Sequence, residues 1–402
     1  MQEYSEKTGF DKIAAFIEAH RQEMLAKWET FVNMEDFFGD VEATRRCRDW
    51  YISELTGAGF QCRIHEGMAP GYTEPFTAVL GEDRPGKPVI FAGHLDTVQP
   101  MGSFGEKPFR MEGGKAYGPG VLDMKGGLII ALYVVRALNE LGYDAHPIKF
   151  VIDCEEESSH IEPDNRVTQF FIDECRGGLC CFDMETGNIT NRLCVGRKSK
   201  YEWFATVHGV GGHSGNEFAK GRNALHEAVL KIADIIRLSD PEKGTTVTVS
   251  YINAGTSKVV CSIPDRCSFH LEARFTSAEE QERVSEAVKQ ILSANYIDGT
   301  GTEFRRSNPQ FMAFQPNDGI RAFLAFMDRT AEDCGYPAFG PIELGGSSDS
   351  GAIAASGTPV LCACGPIGEF NHNIREYAVV ESLFDRAKIY TAAILRLPES
   401  FV

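Results

Sequence analysis

Short runs that are apolar on both faces, interleaved with helical stretches, constrain this chain more than any other feature. Residues 76–80, 89–92, 148–152 and 179–182 read as strands of this kind. A strand with one solvated face alternates apolar and polar residues. These do not, so they predict a largely parallel α/β sheet buried between helices. The intervening stretches fit: a helix over about 42–57 stops near Gly57-Ala58-Gly59, and an apolar helix over 128–141 is closed by Gly142. Ahead of them Phe10, Ile13, Phe16 and Ile17 make one helical face.

Near residue 199 the pattern changes. Residues 201–208, 245–252 and 268–275 alternate as half-buried strands, and 223–238 reads as a helix. A second helix opens at Thr276 with Glu279 and Glu280 in its first turn, and a short strand follows near 303–305. The order β-α-β-β-α-β is the split ferredoxin-like unit. An α+β domain is therefore expected at 199–309, inserted into an α/β domain made of 1–198 and 310–402. The length of 402 residues agrees, being too great for one ordinary core. In the last part 358–363 reads as a strand and 381–397 as a closing helix.

A net charge of −17 argues against nucleic acid and anionic membranes as partners. No apolar run reaches the roughly 18 residues of a transmembrane helix. The N-terminus lacks the basic and apolar regions of a secretion signal. The 12 cysteines, several in apolar runs (Cys180, Cys181, Cys362, Cys364), read as reduced core residues of a cytoplasmic protein.

Five residues able to ligate metal follow separate strands or turns: His94, Asp123, Glu156, Glu185 and His372. Open α/β sheets place their sites at the carboxyl ends of strands. Asp96, two residues after His94, is placed to hydrogen-bond the imidazole nitrogen that does not face a metal. Taken alone, His94-Leu95-Asp96 reads equally well as a solvated turn. The loop Gly118-Pro119-Gly120-Val121-Leu122-Asp123 lacks the third glycine of a dinucleotide fingerprint and the Gly-Lys-Ser/Thr of a P-loop. Three carboxylates in a row, Glu155-Glu156-Glu157, repel one another unless cations offset the charge. Two imidazoles and three carboxylates suit a pair of divalent ions if one carboxylate bridges them.

With these motifs the chain resembles the co-catalytic di-zinc metallopeptidase family of glutamate carboxypeptidase, aminoacylase and succinyl-diaminopimelate desuccinylase, over about residues 45–400. The motifs are His94-Leu95-Asp96-Thr97-Val98; Gly118 through Asp123 and Lys125 to Gly126-Gly127; Glu155-Glu156; Glu185-Thr186-Gly187; Gly345-Gly346-Ser347-Ser348-Asp349; and Gly368 through His372 to Glu376-Tyr377. The resemblance implies two divalent ions, zinc first with cobalt or manganese as alternatives. His94 and Glu185 would hold one, Glu156 and His372 the other, and Asp123 would bridge them. It implies Glu155 as general base, and Asp96 counts among the catalytic residues as the partner of His94. A one-residue slip of register would instead make Glu156 the base and Glu157 the ligand. The inserted domain would be a lid and homodimer interface. Its Gly209-Val210-Gly211-Gly212-His213-Ser214-Gly215 run would supply His213 to the partner's site. Arg274 and Ser348 would bind substrate.

Three departures from the family pattern stand out: Cys154 before the glutamates, Ser158-Ser159-His160 after them, and Cys261 ahead of Ser262-Ile263-Pro264. The expected activity is carboxypeptidase-like release of an amino acid from a peptidyl or N-acyl substrate. An N-acyl-amino-acid deacylase or dipeptidase is the alternative, and a catalytically inactive ligand-binding relative is the rival of another class.

Overall fold

In the computed structural model, which describes residues 2–66, 71–158, 166–255, 260–307 and 311–401, a six-stranded sheet forms the centre of the larger unit. Its order is Gln61–Ile64, Phe76–Leu80, Ile148–Asp153, Val89–His94, Cys180–Asp183 and Val360–Leu361. The last four strands are parallel, and the first two add antiparallel at one edge. Val89–His94 and Cys180–Asp183 are buried throughout, which is why their sequences carry no alternation. Phe91 stacks between Phe150 and Phe182, with ring centroids 5.2 and 5.5 Å away.

The helices Gln2–Ala19, Arg21–Asn33, Val41–Gly57, Lys125–Glu140 and Val380–Ile394 belong to the same unit. Lys125–Glu140 is buried almost around its whole circumference, as its apolar sequence requires. Gly127 permits its approach to the sheet, since a Cβ there would lie 2.0 Å from the Met184 carbonyl oxygen. Fully buried Lys125 pairs with fully buried Asp36 at 2.6 Å and donates to the Phe31 carbonyl at 3.1 Å. This pins the N-terminal helices to the glycine-rich loop.

A second sheet was not anticipated. It has five strands of two or three residues: Arg110–Glu112, Lys115–Tyr117, Tyr377–Val379, Ile367–Glu369 and Gly187–Asn188. Strands this short leave no periodicity to read. The strand expected at 358–363 is shortened to Val360–Leu361. Cys362 leaves the sheet and pairs its backbone antiparallel with that of Cys194, and Ala363 turns with a φ of 61°.

The second unit comprises Arg197–Gln315 with Gly345–Ser347. The boundary expected at 309/310 lies outside the described residues. Its sheet order is Thr246–Ala254, Arg266–Phe275, Ser199–His208 and Gly301–Arg306, all antiparallel. With helices Ala224–Ile236 and Ala278–Ser293 this is ferredoxin-like. Ser199–His208 alternates buried and part-exposed residues, so Tyr201, Trp203, Ala205 and Val207 meet the helices in one core. Ser277 caps the second helix through Glu280 N. On the other face a cross-strand ladder runs Tyr251, His270, Phe204, Arg305. Its ring centroids are 4.7 Å apart, and the Arg305 guanidinium lies 3.9 Å over Phe204.

Among the described residues no helix is long and apolar enough to cross a membrane. All 12 cysteines are free thiols, and Cys180, Cys181, Cys362 and Cys364 are buried.

Candidate metal centre

Loops from the six-stranded and five-stranded sheets of the larger unit converge on Asp123. The short five-stranded sheet orients three of them: Asp123 follows Lys115–Tyr117, Glu185 precedes Gly187–Asn188, and His372 lies between Ile367–Glu369 and Tyr377–Val379. His94 ends its parallel strand. Gly120, with a φ of 70°, lets the loop pass Thr97, whose Cγ2 would sit 2.7 Å from an added Cβ. The Asp123–Met124 peptide bond is cis. Phe370 and His372 hold left-handed φ angles of 66° and 60°, a conformation that costs a side-chain-bearing residue about 1–3 kcal/mol.

The two oxygens of Asp123 face different histidines. Oδ1 is 3.3 Å from His94 Nε2, and Oδ2 is 3.3 Å from His372 Nε2. Glu185 Oε1 lies 3.6 Å from His94 Nε2, and Glu157 Oε2 lies 3.0 Å from His372 Nε2. Two ligand groups result, His94–Asp123–Glu185 and Asp123–Glu157–His372, each with its ligand atoms within 4.8 Å of one another. Asn371 Nδ2 donates to Asp123 Oδ2 at 3.1 Å.

The second group contains Glu157, where the sequence reading expected Glu156. Asp96 accounts for the difference. Its carboxylate accepts the Glu156 amide at 3.1 Å and the Glu157 amide at 2.9 Å, clamping the turn that follows strand Ile148–Asp153. Within that turn the Glu157 side chain reaches His372. Glu156 is buried in neither group, beside His94, Glu185 and Glu157. Glu155, expected as general base, accepts the Thr73 amide at 2.7 Å and so holds the segment before strand Phe76–Leu80. Cys154 Sγ donates to the neighbouring Glu74 carbonyl at 3.5 Å. Ser159 and His160 lie outside the described residues.

Asp96 meets His94 chiefly through its backbone: His94 Nδ1 is 3.0 Å from the Asp96 carbonyl and 3.4 Å from its Oδ1. This leaves Nε2 facing the carboxylates. His94 Nε2 is buried without a well-aligned hydrogen-bond partner, as is Glu157 Oε1. A nitrogen lone pair among carboxylate oxygens suits a cation better than any protein group.

The electrostatics agree. Burial lowers the affinity of the His94 imidazole for a proton, but Asp123 and Asp96 reverse this and raise its pKa well above normal. Hydrogen bonds to Asp123 and Glu157 push His372 up to about 11. Burial acts to raise Asp123, yet His372 and His94 outweigh it and hold the carboxyl below its usual range. Burial, then Asp123, pushes Glu157 up to about 7. Burial also raises Glu156, with the charges of Glu185, Glu157 and Asp123 adding to it. A site that draws protons onto two histidines draws divalent cations by the same field, and each of the two groups has donors suited to a metal ion.

The remaining expected residues belong to neither ligand group. Ser348 is buried, with Oγ against Ser350 Oγ and 3.8 Å from Cys362 Sγ. His213 and Arg274 belong to the second unit. His213 is exposed on the two-residue ribbon Gly212–His213 with Ser262–Ile263, and its Nδ1 accepts the Gly215 and Asn216 amides at 3.2 and 3.3 Å. Arg274 makes a two-pronged pair with Glu272, at 2.7 and 3.0 Å, and donates to the Gly345 carbonyl at 3.0 Å.

The model of Peptidase family M20/M25/M40 matches residues 90–396. Carboxypeptidase G2 from Pseudomonas sp. is 24% identical over 371 residues, covering 91% of this chain and 87% of its own. Succinyl-diaminopimelate desuccinylase from Xanthomonas oryzae pv. oryzae is 27% identical over 369 residues, covering 87% and 93%. Among solved structures, the aminopeptidase PepT of Bacillus cereus superimposes with a TM-score of 0.76 at 20% identity, covering 93% of this chain and 98% of that one. An M20 family metallo-carboxypeptidase from Sulfolobus solfataricus gives 0.74 at 15%, covering 92% and 98%.

Proposed function

Since this chain belongs to Peptidase family M20/M25/M40 and is a metal-dependent hydrolase of peptide or amide bonds, we propose that it releases an amino acid from a peptidyl or N-acyl substrate. The observation that carries the reading is the pair of Asp123 oxygens, each facing its own histidine. His94 and Glu185 would hold one divalent ion, zinc first, Glu157 and His372 would hold a second, and Asp123 belongs to both groups. When bound, the ions supply the Lewis acidity that makes water nucleophilic near neutral pH. Glu156 would accept a proton from the attacking water and return it to the leaving amine. A carboxylate buried among like charges, with a raised pKa, suits that exchange. Glu155 orders the Thr73 segment, and Asp96 orders the glutamate turn. A screen of N-acyl amino acids and dipeptides, with zinc, cobalt and manganese added separately, tests the reading. Preference for N-acyl amino acids would make the protein a deacylase, and preference for dipeptides a dipeptidase. No hydrolysis with any metal would overturn it.

Arg274 belongs to the same proposal as the group that grips a substrate carboxylate. Its fork already fits one carboxylate, that of Glu272. Arg274→Ala should cost roughly 2–5 kcal/mol in kcat/KM for free-acid substrates and little for amidated ones. Equal losses on both would assign Arg274 a purely structural role with Glu272 and Gly345.

We place the protein in the cytoplasm, consistent with its free thiols, and as a homodimer through the second unit. Helix Ala224–Ile236 exposes Val229, Leu230 and Ile236, and edge strand Thr246–Ala254 exposes Tyr251 and Ile252. An apolar helix face beside an open strand edge is a self-complementary surface. His213 then serves the partner's site as an oxyanion donor. Mixing inactive Glu156→Gln with inactive His213→Ala chains should recover activity, because one site of each heterodimer has both groups. No recovery after verified subunit exchange would rule out action in trans.

A further inference from the structure

Three segments that carry proposed metal ligands meet on one side chain that ligates nothing. Glu376 is fully buried, four residues beyond His372. Its Oε1 accepts the backbone amides of Leu122 and Asp123, at 2.9 and 3.1 Å. Its Oε2 accepts Gln99 Nε2 at 2.8 Å, and buried Gln99 lies five residues beyond His94. These contacts join positions 254 and 277 apart in the chain. Burying a carboxylate beside an anionic site is costly unless its acceptors are fully used. Here three donors converge on it, two of them from the peptide units that aim the Asp123 side chain.

We propose that Glu376 is a positioning residue, paired with Gln99, that holds Asp123 so that each carboxylate oxygen faces its own histidine. This rests on the di-metal reading above, with Asp123 as the bridge. The role is one of hydrogen-bond geometry. An amide at position 376 can keep its oxygen on the two backbone N–H groups, and Gln99 can rotate its own amide to accept the new NH2. Outer-shell partners of this kind are worth roughly 10–100-fold in metal affinity.

The experiment is a cobalt(II) titration of the full-length protein, followed by visible absorption, with folding monitored by circular dichroism. Glu376→Ala is expected to weaken both cobalt sites by about 10–100-fold. Glu376→Gln should restore both to within about threefold of wild type, as a geometric role requires. A folded Glu376→Ala protein with unchanged cobalt binding overturns the proposal. So does a folded Glu376→Gln protein as weak as Glu376→Ala, because charge and not geometry would then matter. If Glu376→Ala does not fold, Gln99→Leu decides: it keeps both backbone amide bonds, and a several-fold loss supports the proposal whereas unchanged binding overturns it. Hydrolysis by the wild-type protein is a separate readout. Its absence beside intact cobalt binding would count against the substrate reading and leave the positioning role standing.

Discussion

Asp123→Ala should lose both divalent ions together, the largest effect expected of any single substitution in this protein. Each of its oxygens lies 3.3 Å from a different histidine, so one deletion removes a ligand from both groups. Even an outer-shell partner costs roughly 10–100-fold in metal affinity when removed. A shared ligand should cost more than that at both sites. Glu185→Ala is the control, because Glu185 belongs only to the His94 group. It should weaken one ion and spare the other. Equilibrium dialysis with zinc measures both outcomes as metal per chain. Retention of one tight ion by Asp123→Ala would mean that the two groups do not share this carboxylate.

The second large effect separates three adjacent glutamates. Glu156→Gln should keep both ions and lose roughly 10²–10⁴-fold in kcat, because the amide cannot accept a proton. Glu157→Gln should weaken the ion of the His372 group, since its carboxylate lies 3.0 Å from that imidazole. Glu155→Gln should change little, because an amide oxygen can still accept the Thr73 N–H. Metal content and turnover measured on all three variants sort them into base, ligand and brace. A large loss of turnover in Glu155→Gln, with Glu156→Gln active, would return the role of base to Glu155.

The register of these glutamates marks the edge of what could be read without coordinates. Residues 148–152 announce a buried strand through their apolar run, so a carboxylate at its end was expected to face the site. Which one does so depends on the Asp96 side chain, 60 residues away, accepting two successive amides of the turn. Local sequence does not encode that distance. Glu155-Glu156-Glu157 offers three identical side chains, and a turn can present any of them. Cys154, where the family pattern has an acid, was the one local sign that the register was open to shifting.

What the sequence determined by itself was the longer strands and helices and the set of candidate ligands. Apolar runs without alternation dictate strands buried on both faces, and period-two strands dictate a sheet with one open face. Their order imposed an α/β unit interrupted by a ferredoxin-like one, and His94 at a parallel strand's end with Asp123 in a glycine-rich loop pointed to metal. The tertiary structure alone decided how the loops register against one another. The five-stranded sheet that aims Asp123, Glu185 and His372 is made of strands too short to leave a pattern. The clamps at Asp96, Glu376 and Asp36 are buried polar contacts between segments distant in the chain. Burial makes each of those contacts obligatory, because an unpaired charge or amide there costs more than the chain's local preferences. The position of a side chain at the metal centre is therefore set by partners that no local window of residues contains.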